Sequence, residues 1–156
     1  MERKVIEDIL AEITDNMSYF PTSRHIASWA AICPGNNESA GRKKSGKTRH
    51  GNKWLRAALV QAARAAVRRK DSYFAALYRR LVVRRGDQKA IVAVAHSLFV
   101  TIYHMLRNDT DYTDLGADYF AKRNKEAAKR RSIKELERLG YKVTLETIDA
   151  ALAASV

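Results

Sequence analysis

Between Asp87 and Asn108 the chain reads DQKAIVAVAHSLFVTIYHMLRN, apolar on nearly every side of a helical projection. Such a helix must be covered by neighbours on several sides, because any uncovered side would leave apolar surface in water. The chain is thereby confined to folds in which other helices wrap a central one. Its longest apolar run, Ala90 to Leu106, is interrupted by His96 and His104 and falls short of the roughly 20 residues of a membrane span. It reads as a buried core helix with both histidines packed or hydrogen-bonded inside it, and no membrane partner is expected.

The wrapping elements follow from periodicity and punctuation. Val5, Ile6, Ile9, Leu10 and Ile13 recur at spacings of three and four and predict an apolar helical face over Glu2–Thr14. Phe20-Pro21 turns the chain, and Thr22 or Ser23 can cap a second helix carrying Ile26, Trp29, Ala30 and Ile32, ended by Pro34. A third helix is expected from Gly51 or Asn52 to Lys70, with Leu55, Leu59, Ala62, Ala63, Ala66 and Val67 on one side. Asp71 or Ser72 caps a fourth that Gly86 terminates, and Asp87 caps the central helix. Asp118–Leu139 predicts a highly charged last helix with Gly140 just past its end, and YKVTLE alternates like a strand. The expected fold is all-α: a helical bundle with a Gly-rich basic loop able to form a short β-hairpin, and one short C-terminal strand. Its parts are a helical hairpin over 1–32, a basic active-site loop over 33–50, a bundle over 51–146 and a fraying tail over 147–156.

At 156 residues, 46% hydrophobic and 29% charged, the chain has material for one globular domain and is not of disordered composition. A formal charge of +12 points to a polyanionic partner. The single cysteine, Cys33, excludes an internal disulfide and any cysteine-only zinc site, which fits a cytoplasmic, nucleoid-associated protein. The start, MERKVIEDIL, lacks the continuous apolar region of a signal peptide.

Half of that charge lies in one stretch. Pro34–Arg56, PGNNESAGRKKSGKTRHGNKWLR, sets Arg42, Lys43, Lys44, Lys47, Arg49, Lys53 and Arg56 against one acid, Glu38. It also holds four of the seven glycines, at Gly35, Gly41, Gly46 and Gly51, and the spacing of the last three suits a short twisted hairpin. Glycine lets backbone approach a ligand, and Lys and Arg neutralise phosphates, so the stretch reads as a phosphate-contacting loop. Ser39 is its candidate nucleophile, since clustered cations can hold an oxyanion, although no base is evident nearby in the sequence.

Other motifs give way on inspection. Gly41–Thr48, GRKKSGKT, spells a nucleotide-binding P-loop, but PGNNESA before it is no buried strand and Gly51 follows where the helix should already be established. His25, His50, His96, His104 and Cys33 show no metal-ligand spacing. Asp109, Asp111, Asp114 and Asp118 sit among Thr and Tyr and read as turn and capping residues, so no metal site is assigned. The pairs Arg68-Arg69, Arg79-Arg80, Arg84-Arg85 and Arg130-Arg131 are solvated faces that could also follow a nucleic-acid backbone.

The segment FPTSRHIASWAAICPGNNESAGRKKSGKTRHGNKWLRAALVQAA, with KAIVAVAHSLFVTIYHMLRNDTDYTDLGADYF and LERLGYKVTLE, resembles the C-terminal transposase domain of the bridge-RNA-guided insertion-sequence 110/116/902 transposases. The resemblance implies DNA transposition by site-specific recombination, with Ser39 matching a serine that attacks a DNA phosphodiester and leaves a covalent phosphoserine link. Ser45 is the rival for that role, with the character of a phosphate contact. The same resemblance implies DNA, a guide RNA and an intact transposase or further copies as partners. It places magnesium in an acidic ribonuclease-H-like domain that this sequence does not contain, so no cofactor is expected here. Arg42, Lys43, Lys44, Ser45, Lys47, Thr48, Arg49, His50, Lys53 and Arg56 are expected to bind or polarise phosphate, and Asn36 and Asn37 to shape the turn or donate hydrogen bonds. Because MERKVIEDIL stands where the family has already spent most of its length, the expectation is a truncated or separate C-terminal piece, inactive alone. The alternative is a non-catalytic DNA- or RNA-binding remnant.

Overall fold

The computed structural model describes residues 3–14, 16–33, 37–45, 48 and 50–145, with Asn37–Ser39 and Lys43–Ser45 placed by their backbone. In order these residues form α1 (Arg3–Ile13), a 3-10 turn (Met17–Tyr19), α2 (Ser23–Trp29), a two-stranded antiparallel hairpin of β1 (Asn37–Ser39) and β2 (Arg42–Ser45), then α3 (Lys53–Arg68), α4 (Tyr73–Arg85), α5 (Asp87–Asn108) and α6 (Tyr119–Arg138). The all-α expectation is met, with the hairpin as the described β-structure. Packing divides the chain into two compact units, Met1–Tyr119 and Phe120–Val156.

In the first unit α5 is the centre. It buries Ala90, Ile91, Val94, Ala95, Leu98, Phe99 and Tyr103 against α2, α3, α4 and the 3-10 turn. By length and composition α5 could cross a membrane, but these contacts make it the core helix of the bundle. Next to it, α3 contributes Leu55, Ala58, Leu59, Ala62 and Ala63 to the same core. Short alanines let α1, α4 and α5 approach α3 closely, and α1 seals the far side with Val5, Ile9 and Ile13. His96 is half-buried, and that burial holds its imidazole below the ordinary histidine pKa. His104 departs from expectation: it is exposed, eight residues along and on the outer side of a helix whose last turns are only partly covered. Trp29, expected on the apolar face of α2, is also half-exposed at 50% and tilts against Phe20, ring centroids 5.4 Å apart.

Polar contacts fix the ends of the elements. The buried Tyr103 hydroxyl donates to the Phe20 carbonyl at 2.8 Å, and Arg107 donates to the Pro21 carbonyl, tying the Phe20-Pro21 turn to the last turns of α5. The Ser72 hydroxyl accepts from the Ala75 amide at 3.3 Å as the cap of α4. Asp114 accepts from the Tyr73 and Gly116 amides, both at 2.9 Å, which is the turn-and-cap role expected of it. Gly86, at φ +75°, ends α4 and also caps α5. Asp87 is therefore not the cap but the first residue of α5. Its carboxylate instead accepts from the Tyr78 hydroxyl at 2.8 Å and from Arg64 at 3.0 Å. Those two contacts, the Tyr78 hydrogen bond foremost, hold Asp87 below the usual carboxylate range; the same hydrogen bond to Asp87, with burial, pushes the Tyr78 phenol up against the opposing charge of Arg64.

In the second unit α6 has no buried residue. Its end is set by Gly140 at φ +90°, with the Tyr141 amide donating to Leu136 and the Gly140 amide to Glu137, the two bonds of a Schellman motif. The strand expected from Tyr141 to Glu146 does not form over Tyr141–Leu145, because alternation becomes a strand only when a neighbour supplies the ladder of hydrogen bonds. Glu146 and the tail over 147–156 lie outside the described residues, as does Pro34.

Candidate nucleic-acid interface

The hairpin is built on a two-residue turn. Ala40 and Gly41 both have positive φ, +51° and +74°, the requirement of the turn type whose twist matches antiparallel strands. Gly41 adopts it freely, whereas Ala40 carries a Cβ into a left-handed conformation and is strained. Across the turn Ser39 pairs with Arg42, then Glu38 with Lys43, while Asn37 pairs with Ser45. Lys44 is thus the extra residue of a β-bulge, which bends the strand and increases its twist. Ala40, Gly41 and Arg42 are exposed, so the hairpin presents its tip to solvent.

The loop that carries the hairpin is closed at its base, where the chain leaving α2 meets the chain entering α3. At the entry side, Ala31 takes φ +51°, and the Ile32 amide donates to Ala27 while the Ala31 amide donates to Ser28. α2 thus closes with a Schellman motif in which alanine replaces the usual glycine. At the exit side, Gly51 lies directly on that turn: a Cβ there would stand 2.4 Å from the Ala31 Cβ and 3.0 Å from the Ala30 carbonyl oxygen. Only glycine allows the two backbones to approach so closely. One residue on, the Asn52 side-chain oxygen accepts from the Trp54 and Leu55 amides at 3.0 and 3.2 Å, capping α3. Its amide nitrogen donates to Glu12 on α1. The loop is therefore gripped at its base by α1, α2 and α3.

The predicted site residues fall into three groups. Asn37, Ser39, Arg42, Lys43, Lys44 and Ser45 are on the hairpin, and its register brings Ser39 and Arg42 together. Thr48, half-buried, and His50, exposed, belong to the exit segment. Lys53 and Arg56 open α3, Lys53 with its ammonium 5.0 Å over the Trp54 ring. Asn36, Lys47 and Arg49 lie outside the described residues. Trp54 was not among the expected site residues, yet it is 68% exposed beside the loop; its sequence signal is an aromatic side chain directly after a lysine where an apolar core face begins. The P-loop spelling does not correspond to a P-loop here. Its Gly41 is a hairpin turn, Arg42–Ser45 is a strand, and the next helix starts at Lys53. Among the described residues no three His, Cys, Asp or Glu side chains converge to hold a metal ion.

The same stretch of chain carries the comparison with known proteins. The profile of the transposase IS116/IS110/IS902 family matches residues 2–79, from the start of α1 through the first half of α4. The chain belongs to that family. The match contains the whole hairpin, the base that grips it and the α1–α3 packing beneath, so the loop is part of a transposase domain. Family membership implies a role in DNA transposition, with DNA as the partner. No curated protein and no solved structure matches the chain.

Proposed function

We propose that the hairpin is the phosphate-binding half of a DNA strand-exchange site in which Ser39 is the nucleophile. The observation that carries this reading is the register: Ser39 lies opposite Arg42 beside an exposed tip whose base is pinned. In the reaction the Ser39 oxygen bonds to the phosphorus of one DNA strand, the phosphorus bond to the departing strand breaks, and that strand leaves as a free hydroxyl. The serine proton is balanced by the one the leaving oxygen takes up, so the exchange of one phosphodiester for another needs no external energy source. Arg42, Lys43, Lys44, Lys47, Arg49 and His50 bind or polarise the phosphate, where fixed positive charge stabilises the extra negative charge of the transition state. Ser45 and Thr48 add phosphate contacts, Asn36 and Asn37 shape the entry, and Lys53 and Arg56 extend the positive surface along α3. The exposed Trp54 offers a face on which an unpaired base can stack.

The proton-accepting half, with its magnesium, belongs to the acidic domain of the intact transposase, either in the same enzyme or in another subunit. Guide RNA selects the target in that assembly. The test supplies this chain with an acidic domain, guide RNA and target DNA, and looks for a protein–DNA adduct that survives denaturation. An adduct that Ser39→Ala abolishes supports the reading. Salt-sensitive DNA binding with no adduct under any of these conditions contradicts it and leaves a non-catalytic binding module.

A further inference from the structure

A second cationic face belongs to α4. That helix turns Phe74 and Ala75 into the core and leaves Arg79, Arg80, Val83 and Arg84 exposed. Their spacing, i, i+1, i+4 and i+5, places them in one stripe. Tyr73–Arg85 contains no carboxylate, and Arg80 and Arg84 form a like-charge i, i+4 pair, which weakens a helix on its own account. Val83, in the middle of the stripe, is 86% exposed, more than any other large apolar side chain among the described residues. The bundle gains nothing from an uncovered Val83, which buries no area.

We propose that this stripe is a docking surface for duplex DNA, separate from the hairpin. The arginines take phosphates on either side of the major groove, and Val83 faces the base edges, where the thymine methyl is an apolar partner. A helix about 10–12 Å across fits the B-form major groove, about 12 Å wide, whereas the corresponding groove of A-form RNA is too deep and narrow to admit one. The helix is also held as a rigid ligand should be. Ser72 and Asp114 fix its first turn, and Asp87, just beyond its end, is gripped by Tyr78 and Arg64.

The test is fluorescence anisotropy on the full chain with a labelled DNA duplex of mixed sequence and an RNA duplex of the same sequence, across a range of salt. Replacing Arg79, Arg80 and Arg84 together by Gln should lower the slope of log K against log salt on DNA by about 0.9 for every phosphate that the variant no longer neutralises. Val83→Glu, at a site too exposed to affect the melting temperature, should weaken DNA binding roughly tenfold or more. Both effects should persist when Lys43 and Lys44 of the hairpin are also changed to Gln, and the parent chain should prefer the DNA duplex. Unchanged affinity and slope in both variants, disappearance of the effect in the hairpin background, or equal preference for the RNA duplex would each overturn the proposal. The readout is equilibrium binding, so it does not depend on whether Ser39 forms an adduct.

Discussion

Asn52 does two jobs with one amide. Its oxygen caps α3 and its nitrogen holds Glu12, so Asn52→Ala should lower stability by about 1–2 kcal/mol, read as a fall in the denaturant midpoint at unchanged slope. Asn52→Asp should not restore it, because the carboxylate keeps the cap but faces Glu12 with like charge. Gly51 is stricter. Gly51→Ala forces a Cβ to within 2.4 Å of Ala31, and a cost of roughly 1–3 kcal/mol is expected from overpacking. Ala31→Gly removes the opposing Cβ and relaxes a left-handed residue, so the double variant should melt above Gly51→Ala alone. Failure of that rescue would mean that contact with Ala31 is not what makes glycine necessary. The sequence marked Gly51 as one of a spaced glycine set, but gave no sign of its partner. Ala31 and Ala40 occupy left-handed positions normally announced by Gly or Asn, and the partner of Asn52 lies 40 residues away on another helix.

Helices were legible wherever punctuation and periodicity agreed. Ser72, Gly86 and Gly140 cap or stop α4 and α6 where their chemistry indicates, and the all-round apolar character of α5 fixed its central place. Pattern without punctuation misled: Tyr141–Leu145 alternates without a neighbouring strand, and His104 shares a helix with core residues but lies outside the covered arc. Connections between elements were partly readable. Asp114 was assigned to turns and caps, but its bond to the amide of Tyr73, 41 residues earlier, was not. That bond gives a pH signature. Partial burial alone pushes the Asp114 carboxyl up, but the Tyr73 and Gly116 amides, the Arg69 charge and the Tyr112 hydroxyl outweigh it and hold the group below its usual value. Burial, with the charge of Asp114, pushes Tyr112 up to about 12. A depressed carboxyl contributes stability above its unfolded pKa, about 3.9, and loses it as pH falls through the folded value; a raised phenol contributes below about 10 and loses it as pH climbs toward its folded value. The cluster should therefore support the α4 junction between about pH 4 and 10. Asp114→Asn should flatten the acid side of a melting-temperature profile and leave the region near neutrality only modestly lowered. An acid limb identical to the parent's would show that Asp114 does not couple to folding.

Across the whole molecule, positive charge and backbone architecture converge on the same segment. The 34–56 stretch carries half of the formal charge of +12, and the bundle anchors both of its ends through α2, Gly51 and Asn52. Composition announced the anion partner, and the glycine spacing announced a hairpin. The register that joins Ser39 to Arg42 and the bulge at Lys44 required the fold, because strand pairing depends on which residues take the turn. The proposed strand exchange requires that Ser39 itself become linked to DNA. Mass spectrometry of the trapped protein–DNA adduct, with a Ser45→Ala variant run alongside, reads that link directly. The phosphodiester remnant should sit on Ser39 in both proteins, with no adduct in Ser39→Ala. A remnant on Ser45, or an adduct undiminished by Ser39→Ala, would contradict it.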